Sequence, residues 1–343
     1  MNIDRGKFTR EEIFSQPEAW AAALDALKEA ERDILRLKPA GRYDQVLYTG
    51  CGSTHYLALA AAALTQELAE VPARALPASE LWLYPRSSYT TGKTLLVAVS
   101  RSGETTETLR ACQAFLDSER GDLLTLSCYG EMPLAKMGAL NLVLPSGQEQ
   151  SVAQTRAFST LYLATVTLAA LWARRTDLVD SLARLPEAGR RVLAQAVPLA
   201  AELGPDMAID RFYWLGSGPR YGLAAELSLK MKEMSLSHSE PFHFMEFRHG
   251  PKSMITNSSM VVGLRSTVHA QHENAVLGDM ATLGGRILDI AEADARLSFA
   301  SGLDEAIRNI LVLPAGQCIA LERSLAKGLN PDRPYYLDTV VKL

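Results

Sequence analysis

The fold is decided by the stretch Val46-Leu-Tyr-Thr-Gly50-Cys-Gly52-Ser, which has a counterpart in Phe212-Tyr-Trp-Leu-Gly216-Ser-Gly218-Pro. In both stretches a short apolar run ends in two glycines that flank one residue, and the second glycine pair lies 166 residues after the first. Glycine after a strand is common in α/β proteins, so coincidence is the competing explanation. Because the order of the predicted strands also matches between the two halves, we favour duplication of one unit.

Short apolar runs alternate with amphipathic stretches on both sides of this repeat. We predict strands at 45–49, 94–100, 122–127, 141–145, 212–215, 260–264, 286–290 and 310–313. We predict helices at 55–68, 104–116 and 222–236, several more within 156–202, and further helices over 1–38 with Thr9 as an N-cap. Strands that alternate with helices indicate βαβ units, and therefore an α/β fold with parallel sheets covered on both faces.

The composition excludes several classes of protein. The 343 residues include 35 basic and 39 acidic side chains, which argues against a nucleic-acid-binding protein, since such a protein carries a clustered basic excess. No run of 18 apolar residues predicts a membrane span, and the charged N-terminus lacks the apolar core of a secretory signal. The four cysteines are scattered without zinc-type spacing. We therefore expect a cytoplasmic protein with reduced thiols that contacts neither nucleic acid nor membrane.

Two turns rich in hydroxyl groups follow predicted strands of the first half, Gly50-Cys-Gly-Ser-Thr54 and Ser100-Arg-Ser-Gly-Glu-Thr105. In a parallel sheet both turns lie at the carboxyl edge, where ligands bind. Hydroxyl groups, exposed amides and a helix N-terminus together bind a phosphate dianion without a metal, and Arg101 would add positive charge. Helix capping is the alternative role for these hydroxyl groups. Neither glycine pair continues into GxGxxG or GxxxxGK[ST], so dinucleotide binding and P-loop chemistry have weak support.

Two further clusters carry titratable groups. Glu226, Lys230 and Glu233 share one helix face, and apolar neighbours suggest that this face is partly buried, although a solvated salt-bridge ladder is the alternative. A partly buried glutamate beside a lysine is suited to proton transfer. His249 precedes Gly250-Pro251 at a segment end, where it can project into a cleft. For the other histidines we predict packed, satisfied side chains: His55, His238, His243, His269 and His272.

Five segments spread over nearly the whole chain resemble the sugar isomerase (SIS) domain proteins, and specifically the double-SIS isomerase part of glucosamine-6-phosphate synthase. They are GCGST (50–54), SRSGET (100–105), EQSVAQTRAFST (149–160), ELSLKMKE (226–233) and EFRHGPKS (246–253). The resemblance implies two tandem SIS domains, each a flavodoxin-like or Rossmann-like three-layer sandwich, preceded by N-terminal helices. We accordingly predict a helical segment at 1–40, a first SIS domain at 41–190 for phosphate and sugar, and a second at 191–343 that carries the catalytic base and the histidine.

The resemblance also implies roles for individual residues. Glu233 matches the base that moves a proton between carbon 1 and carbon 2, and Lys230 matches the lysine beside that base. His249 matches the ring-opening histidine, which reaches the site from the adjacent subunit of a homodimer. The phosphate-binding positions are Ser100, Arg101, Ser102 and Thr105. The sugar-binding positions are Cys51, Gly52, Ser53, Thr54, Val152 and Ala153. The resemblance implies neither a metal nor a cofactor.

The C-terminal tail departs from the synthase pattern. A tail lysine of the synthase forms an imine with the ketose, whereas Thr339 stands at that position here and Lys342 lies three residues further on. This puts imine chemistry in doubt, while ring opening and enolisation stay compatible. We also expect no glutaminase domain, and therefore no glutamine as amino donor. Together with the opening residues 9–20 and FRHGPKS (247–253), the tail looks closest to the AgaS-type branch, described as tagatose-6-phosphate ketose/aldose isomerases or galactosamine-6-phosphate deaminases.

The expected function is a metal-free aldose–ketose isomerase or deaminase that acts on a hexosamine 6-phosphate or a ketohexose 6-phosphate, a small-molecule partner. A deglycase for fructosamine 6-phosphates would use the same base and is an alternative. A non-catalytic sugar-phosphate-binding regulator is an alternative of another class, although residues 1–38 lack the basic extension that such regulators need. The sequence leaves open the configuration at carbon 4 and the choice between deaminase and isomerase.

Overall fold

The computed structural model describes residues 5–340, which divide into two compact units. One unit comprises residues 18–149, 156–183 and 338–340 and is called the first-sheet unit. The other comprises residues 5–17, 150–155 and 184–337 and is called the second-sheet unit. The domain boundaries given above stay predictions.

Three helices precede the first strand, namely α1 (Lys7–Phe14), α2 (Gln16–Glu29) and α3 (Glu31–Arg36). Helix α1 begins two residues before Thr9, after Gly6 in the left-handed region with a φ of 76°. The predicted N-cap at Thr9 is therefore wrong. The Thr9 hydroxyl and amide both donate to Asp332 Oδ1, at 2.7 and 2.8 Å, so this side chain makes a long-range contact instead of capping its own helix.

The first-sheet unit contains a five-stranded parallel sheet in the order β2-β1-β3-β4-β5. Its strands are β1 (Gln45–Gly50), β2 (Ala73–Pro77), β3 (Thr94–Val99), β4 (Gly121–Ser127) and β5 (Leu140–Val143). The further helices of this unit are α4 (Ser53–Ala69), α5 (Ala78–Leu83), α6 (Pro85–Ser88), α7 (Thr106–Asp117), α8 (Arg156–Trp172) and α9 (Thr176–Leu182). This strand order is that of flavodoxin-like sheets, in which ligands bind beyond the carboxyl ends of β1 and β3.

The second-sheet unit contains another five-stranded parallel sheet, in the order β10-β9-β8-β6-β7. Its strands are β6 (Arg211–Leu215), β7 (His238–Phe242), β8 (Ser259–Leu264), β9 (Arg286–Ala291) and β10 (Leu297–Ser298). Its helices, beside α1, are α10 (Leu185–Leu203), α11 (Pro219–Ser235), α12 (Ala270–Thr282), α13 (Glu305–Arg308) and α14 (Val312–Ala326). Numbered within each unit, the two sheets have the same strand order.

Each sheet buries both of its faces under helices. In the first-sheet unit, Leu47 and Leu96 pack with Leu81 of α5 and Phe115 of α7, while α4 and α8 pack against each other and α4 also contacts β1 and β2. The second-sheet unit repeats this arrangement, with α12 on one face and α11 packed against α14 and β6. Parallel strands covered on both faces read as continuous apolar runs, which is why the sequence predicted the central strands.

The repeated glycines serve the same purpose in both units. A Cβ atom on Gly50 would lie 2.7 Å from the carbonyl carbon of Thr54, and one on Gly216 would lie 2.4 Å from the carbonyl oxygen of Arg220. Gly52 and Gly218 both have a φ of 56°. Helices α4 and α11 each begin directly after that second glycine and each contain 17 residues. The backbone therefore supports the predicted duplication.

The predicted strand at 310–313 is wrong. Asn309–Leu311 form a turn of 3₁₀-helix, and Val312 begins α14, which is buried along almost its whole length. A short apolar run fits a buried helix as well as a strand, and here the apolar character continues for too many residues to be a strand. Three strands were not predicted because they lack such a run: β2 and β7 are partly exposed edge strands, and β10 has two residues.

No helix within residues 5–340 combines the length and the apolar character that a membrane span requires.

We expect Gly216→Ala to lower the free energy of unfolding by more than about 2 kcal/mol, because the new methyl group collides with backbone that cannot move independently. Gly278→Ala is the matched control, since it lies exposed inside α12 with nothing within 4 Å of an added Cβ. This control is expected to raise stability by about 0.5–1 kcal/mol. Urea unfolding measures both. Equal stability of the two variants would contradict the assigned role of Gly216.

Candidate functional site

Three hydroxyl groups meet in the turn between β3 and α7. Ser100 Oγ lies 3.3 Å and Ser102 Oγ 3.5 Å from Thr105 Oγ1. The turn is tightened by two amides, since Gly103 N donates to Ser100 Oγ and Glu104 N donates to Ser102 Oγ, at 3.2 and 3.3 Å. Thr105 occupies the N-cap position of α7 but makes no side-chain capping bond. The hydroxyl cluster therefore stands at the carboxyl edge of the sheet without the capping role that was the alternative for Thr105.

The neighbouring turn after β1 is held by Thr54. Its Oγ1 accepts the Cys51 amide at 2.9 Å and lies 3.0 Å from the Cys51 carbonyl oxygen. A Cβ atom on Gly52 would meet nothing within 4 Å, so the backbone is open to a ligand at this point. Burial raises the pKa of the Cys51 thiol, and the thiol lies 3.5 Å from Thr108 Oγ1. A protonated thiol of this kind is a poor nucleophile, so Cys51 contributes shape to the turn.

Arg101 is paired inside the first-sheet unit. Its Nη1 lies 3.1 Å from Glu149 Oε2, and 5% and 0% of the two side chains are exposed. Its Nη2 donates to the Thr339 carbonyl oxygen at 3.3 Å, while Glu149 Oε1 accepts the Ala157 amide at 3.0 Å. The guanidinium charge is thus balanced by a carboxylate. This arrangement fixes the turn that contains Arg101 against the start of α8.

The predicted sugar-facing backbone at Val152 and Ala153 belongs to the second-sheet unit. The Ser151 amide donates to Glu12 Oε1 at 3.2 Å, and the Ser151 hydroxyl bonds to the other Glu12 oxygen. The Val152 amide donates to the Asp332 carbonyl oxygen at 3.0 Å. Ala153 is buried. Helix α1 and the C-terminal segment therefore hold this backbone in place.

The row Glu226, Lys230 and Glu233 lies on α11. Lys230 Nζ is 3.4 Å from Glu226 Oε1 and is bonded to Glu233 Oε2. Glu226 and Lys230 are fully buried, whereas 19% of the Glu233 side chain is exposed. The prediction of a partly buried face is confirmed, and the alternative of a solvated ladder is wrong. Because a buried charge is costly unless it is paired, the two carboxylates hold the ammonium group at a fixed point.

Glu233 also borders a cavity of about 430 Å³ in the second-sheet unit. Arg5, Arg333, Asn330 and Tyr335 are among its lining residues. The cavity therefore presents one carboxylate, two guanidinium groups and several uncharged polar groups, a mixture that suits a small polar anion.

His249 is exposed, directly after the 3₁₀ turn Glu246–Arg248 and before Gly250. It is not among the residues that line the Glu233 cavity. Within the described residues, the structure therefore does not bring the predicted base and the predicted ring-opening histidine to one cavity.

The other histidines differ from the prediction that they are packed and satisfied. His238, His269 and His272 are exposed, because they lie on an edge strand and at the first turn of α12. His243 is exposed and stacks on Tyr221, with ring centroids 3.9 Å apart. His55 is half-buried, and burial lowers its pKa, while its Nδ1 has no hydrogen-bond partner in the described part of the chain.

Sequence reasoning missed the partners that position these groups. Glu149 is the carboxylate beside Arg101, and Glu12 binds Ser151 from 139 residues away. Arg5 and Arg333 come from the two ends of the chain to line one cavity. No local pattern marks such long-range pairs. Across residues 5–340, no group of three or more His, Cys, Asp or Glu side chains is arranged to hold a metal ion.

Comparison with known proteins identifies part of the chain. Residues 42–171 match the family model of the SIS domain. This range covers most of the first-sheet unit. The matched range contains both hydroxyl-rich turns, whereas the second-sheet unit, with its equivalent strand order, stays a predicted SIS domain.

Whole-chain comparisons extend this result. The chain is 28% identical over 356 residues to the isomerizing glutamine–fructose-6-phosphate aminotransferase of Acidithiobacillus ferridurans, which covers 95% of this chain and 57% of that protein. The chain thus spans little more than half the length of such curated relatives. The crystal structure of glucosamine-6-phosphate deaminase from Thermotoga maritima aligns with a TM-score of 0.85 and 25% identity, over 98% of this chain and 100% of that one. The tagatose-6-phosphate ketose/aldose isomerase structure from Escherichia coli aligns with a TM-score of 0.84 and 22% identity, over 95% of each chain, and shows the fold. Over 95% of its length the chain is therefore related to isomerizing aminotransferases, and its fold is that of the deaminase and isomerase structures.

We expect Glu149→Ala to destabilise the first-sheet unit by about 3–5 kcal/mol, because it leaves the buried Arg101 guanidinium without its carboxylate. Asp33→Ala is the control, since it removes an exposed carboxylate from Arg36 and is expected to change stability by less than about 1 kcal/mol. Thermal unfolding of both variants provides the measurement. A Glu149→Ala variant as stable as the control would show that the buried pair does not hold the turn.

Proposed function

We propose that the chain is a phosphosugar isomerase or deaminase that acts on a hexosamine 6-phosphate or a ketohexose 6-phosphate. The observation that carries the proposal is the row on α11, in which a fixed, buried Lys230 holds Glu233 at the wall of a cavity. A carboxylate that is restrained but still accessible is suited to repeated proton transfer, because little reorganisation precedes each step. Similarity to isomerizing aminotransferases over 95% of the chain supports the same activity.

The phosphate group of the substrate binds, in this proposal, to the hydroxyl groups of Ser100, Ser102 and Thr105. Hydroxyl donors and amides at the start of a helix bind a dianion without a metal. The carboxylate beside Arg101 argues for a positioning role, in which the guanidinium holds the turn and its electrostatic field is partly balanced. Phosphate binding at a distance from the reacting carbons supplies binding energy that orients them.

The sugar lies, in this proposal, against the backbone at Gly52 and the buried side chains of Ser53 and Thr54, with Cys51 shaping the turn. The backbone of Val152 and Ala153 contributes further contacts. These assignments rest on the family resemblance together with the open space beside Gly52.

The chemical step moves one proton. Glu233 removes the proton from carbon 2 of the open-chain aldose, the electron pair forms the carbon 1–carbon 2 double bond of an enediol or enolamine, and the carbonyl oxygen takes up a proton. Return of a proton to carbon 1, with loss of the proton on the carbon 2 hydroxyl, then gives the ketose. With a 2-amino group, the same return of a proton gives an imine at carbon 2, to which water adds before ammonia leaves. Lys230 is fully buried, so its proposed role is to orient Glu233 rather than to touch the substrate.

His249 is proposed to open the sugar ring by donating and accepting protons at the ring oxygen and the anomeric hydroxyl. Its exposed position outside the Glu233 cavity supports the proposal that it completes the site of a second copy in a homodimer. Imine chemistry is not part of the proposal. Thr339 stands at the position of the synthase lysine, and Lys342 lies outside the described residues.

Glu233→Gln is expected to reduce turnover about 10²–10⁴-fold with little change in substrate affinity, because the amide keeps the size of the side chain and cannot accept the carbon-bound proton. The assay uses glucosamine, galactosamine, tagatose and fructose 6-phosphates and measures both ammonia and ketose. Glu240→Gln on β7 is the control, since this glutamate is exposed and does not line the Glu233 cavity. Undiminished turnover of every substrate by Glu233→Gln would refute the assignment. Glycated amino acid 6-phosphates as better substrates would favour a deglycase, and tight binding without product would favour a regulator.

Ser102→Ala is expected to lower kcat/KM about 10-fold or more, because a hydrogen bond to a charged group contributes about 1.5–3 kcal/mol. Ser118→Ala is the matched control at the opposite end of α7, where the hydroxyl bonds to the Phe115 carbonyl oxygen. Inhibition by inorganic phosphate is measured in parallel and should weaken in Ser102→Ala alone. If phosphate inhibited the unaltered chain, Ser102→Ala and Ser118→Ala equally, the phosphate group would bind elsewhere.

A further inference from the structure

The second sheet carries a turn at the same place as the hydroxyl cluster of the first. Arg265, Ser266 and Thr267 follow β8, as Ser100 to Ser102 follow β3, and both strands are the third in their sheets. In flavodoxin-like sheets this edge, next to the first strand of the unit, is the place where ligands bind. The duplication therefore creates two equivalent positions for an anion in one chain.

A side chain fills the position in the second-sheet unit. The Glu305 carboxylate accepts the Ser266 hydroxyl at 2.8 Å, on Oε1, and the Thr267 amide at 2.8 Å, on Oε2. Arg220 bonds to Oε1, and Arg308 Nη2 donates to Oε2 at 3.2 Å. One hydroxyl group, one backbone amide and two guanidinium groups thus converge on a single anionic group.

This set of donors is the set that binds phosphate. Guanidinium groups match the geometry of phosphate and carboxylate oxygens, and hydroxyl and amide donors complete the shell. Arg220 and Arg308 are 4% and 8% exposed, so they are built into the pocket rather than recruited from the surface. The Arg220 Nε atom is buried and has no hydrogen-bond partner within the described residues, so one further N–H donor is available to an anion.

Two other carboxylates border the pocket. Glu273 Oε1 lies 3.6 Å from Arg220 Nη2, and Glu292 Oε2 lies 3.6 Å from Arg308 Nε. Burial raises the pKa of Glu273, although the Ser266 amide and the Arg220 charge oppose this shift. For Glu305, burial alone would raise the pKa, but the Arg220 charge, the Thr267 amide and the Ser266 hydroxyl together lower it. Glu305 is therefore the anion that the pocket favours.

We infer that Glu305 is a built-in anion that occupies a second phosphate-type pocket, formed by Arg220, Ser266, Thr267 and Arg308. Removal of its carboxylate opens this pocket to a phosphate dianion, which reaches it because 24% of the Glu305 side chain is exposed. The consequence for stoichiometry rests on the proposed function: a chain with two equivalent sheet edges binds one sugar phosphate, because the other edge is already filled.

The test counts inorganic phosphate bound per chain by equilibrium dialysis. Glu305→Ala is expected to bind one more phosphate than the unaltered chain. Glu202→Ala is the matched control, since it removes an exposed carboxylate from Arg296 and is expected to add no phosphate. Glu305→Gln is expected to add none either, because the amide still fills the pocket. Adding Arg308→Ala to Glu305→Ala should remove the extra phosphate.

A folded Glu305→Ala variant that binds no more phosphate than the unaltered chain overturns the inference. If this variant unfolds, phosphate must restore its cooperative unfolding transition where chloride at equal ionic strength does not, because a ligand that binds only the folded chain stabilises it. Absence of that rescue also overturns the inference. Failure of the phosphate site proposed at Ser100, Ser102 and Thr105 would give a different result. The unaltered chain would then bind no phosphate, while Glu305→Ala would still bind one more than the unaltered chain.

Discussion

A helix can begin directly beyond a strand only if the residue at the junction between them leaves room for the first turn. Gly50 and Gly216 meet this requirement, since a Cβ on either would lie well inside contact distance of the helix that follows. This close approach fixes where α4 and α11 begin, and therefore which residues of α11 face inward. Lys230 and Glu233 lie about three and four turns along a helix whose start is set by a glycine. The candidate base therefore depends on a backbone constraint 17 residues before it.

Two groups of buried charges are internally paired, and each of them fixes one element. Arg101 with Glu149 holds the turn after β3, and Lys230 with Glu226 holds the proposed base, Glu233, on α11. Burying either partner alone would cost several kcal/mol, so each pair is required for stability. Each pair also restricts the charges that a ligand can contact. The fully buried side chains of these groups hold their partners in place. Side chains that keep some exposure, such as Glu233, remain accessible to a substrate.

Much of the fold was readable because parallel strands buried on both faces leave apolar runs, as at β3 and β8. Edge strands such as β2 leave no such run, and the apolar stretch from Ile310 belongs to a buried helix that periodicity alone does not separate from a strand. The contacts of the candidate site also fall into a predictable and an unpredictable group. Helical spacing predicted that Glu226, Lys230 and Glu233 share a face, because that is local geometry. The pairings of Arg101 with Glu149 and of Thr9 with Asp332 depend on long-range packing, which no local pattern encodes.

The predicted duplication would explain why the two sheets share a strand order, although the edges of the two sheets differ in charge. After β3 the hydroxyl groups of Ser100, Ser102 and Thr105 cluster with one another and with two amides of the turn, whereas after β8 the hydroxyl of Ser266 is bonded to a carboxylate. Since one anion satisfies such a pocket, an internal glutamate and an external phosphate are mutually exclusive occupants of one edge. Divergence by a single acidic side chain is therefore enough to convert one copy of a binding edge into a structural one, and it leaves α11 of the same unit to supply the proposed base.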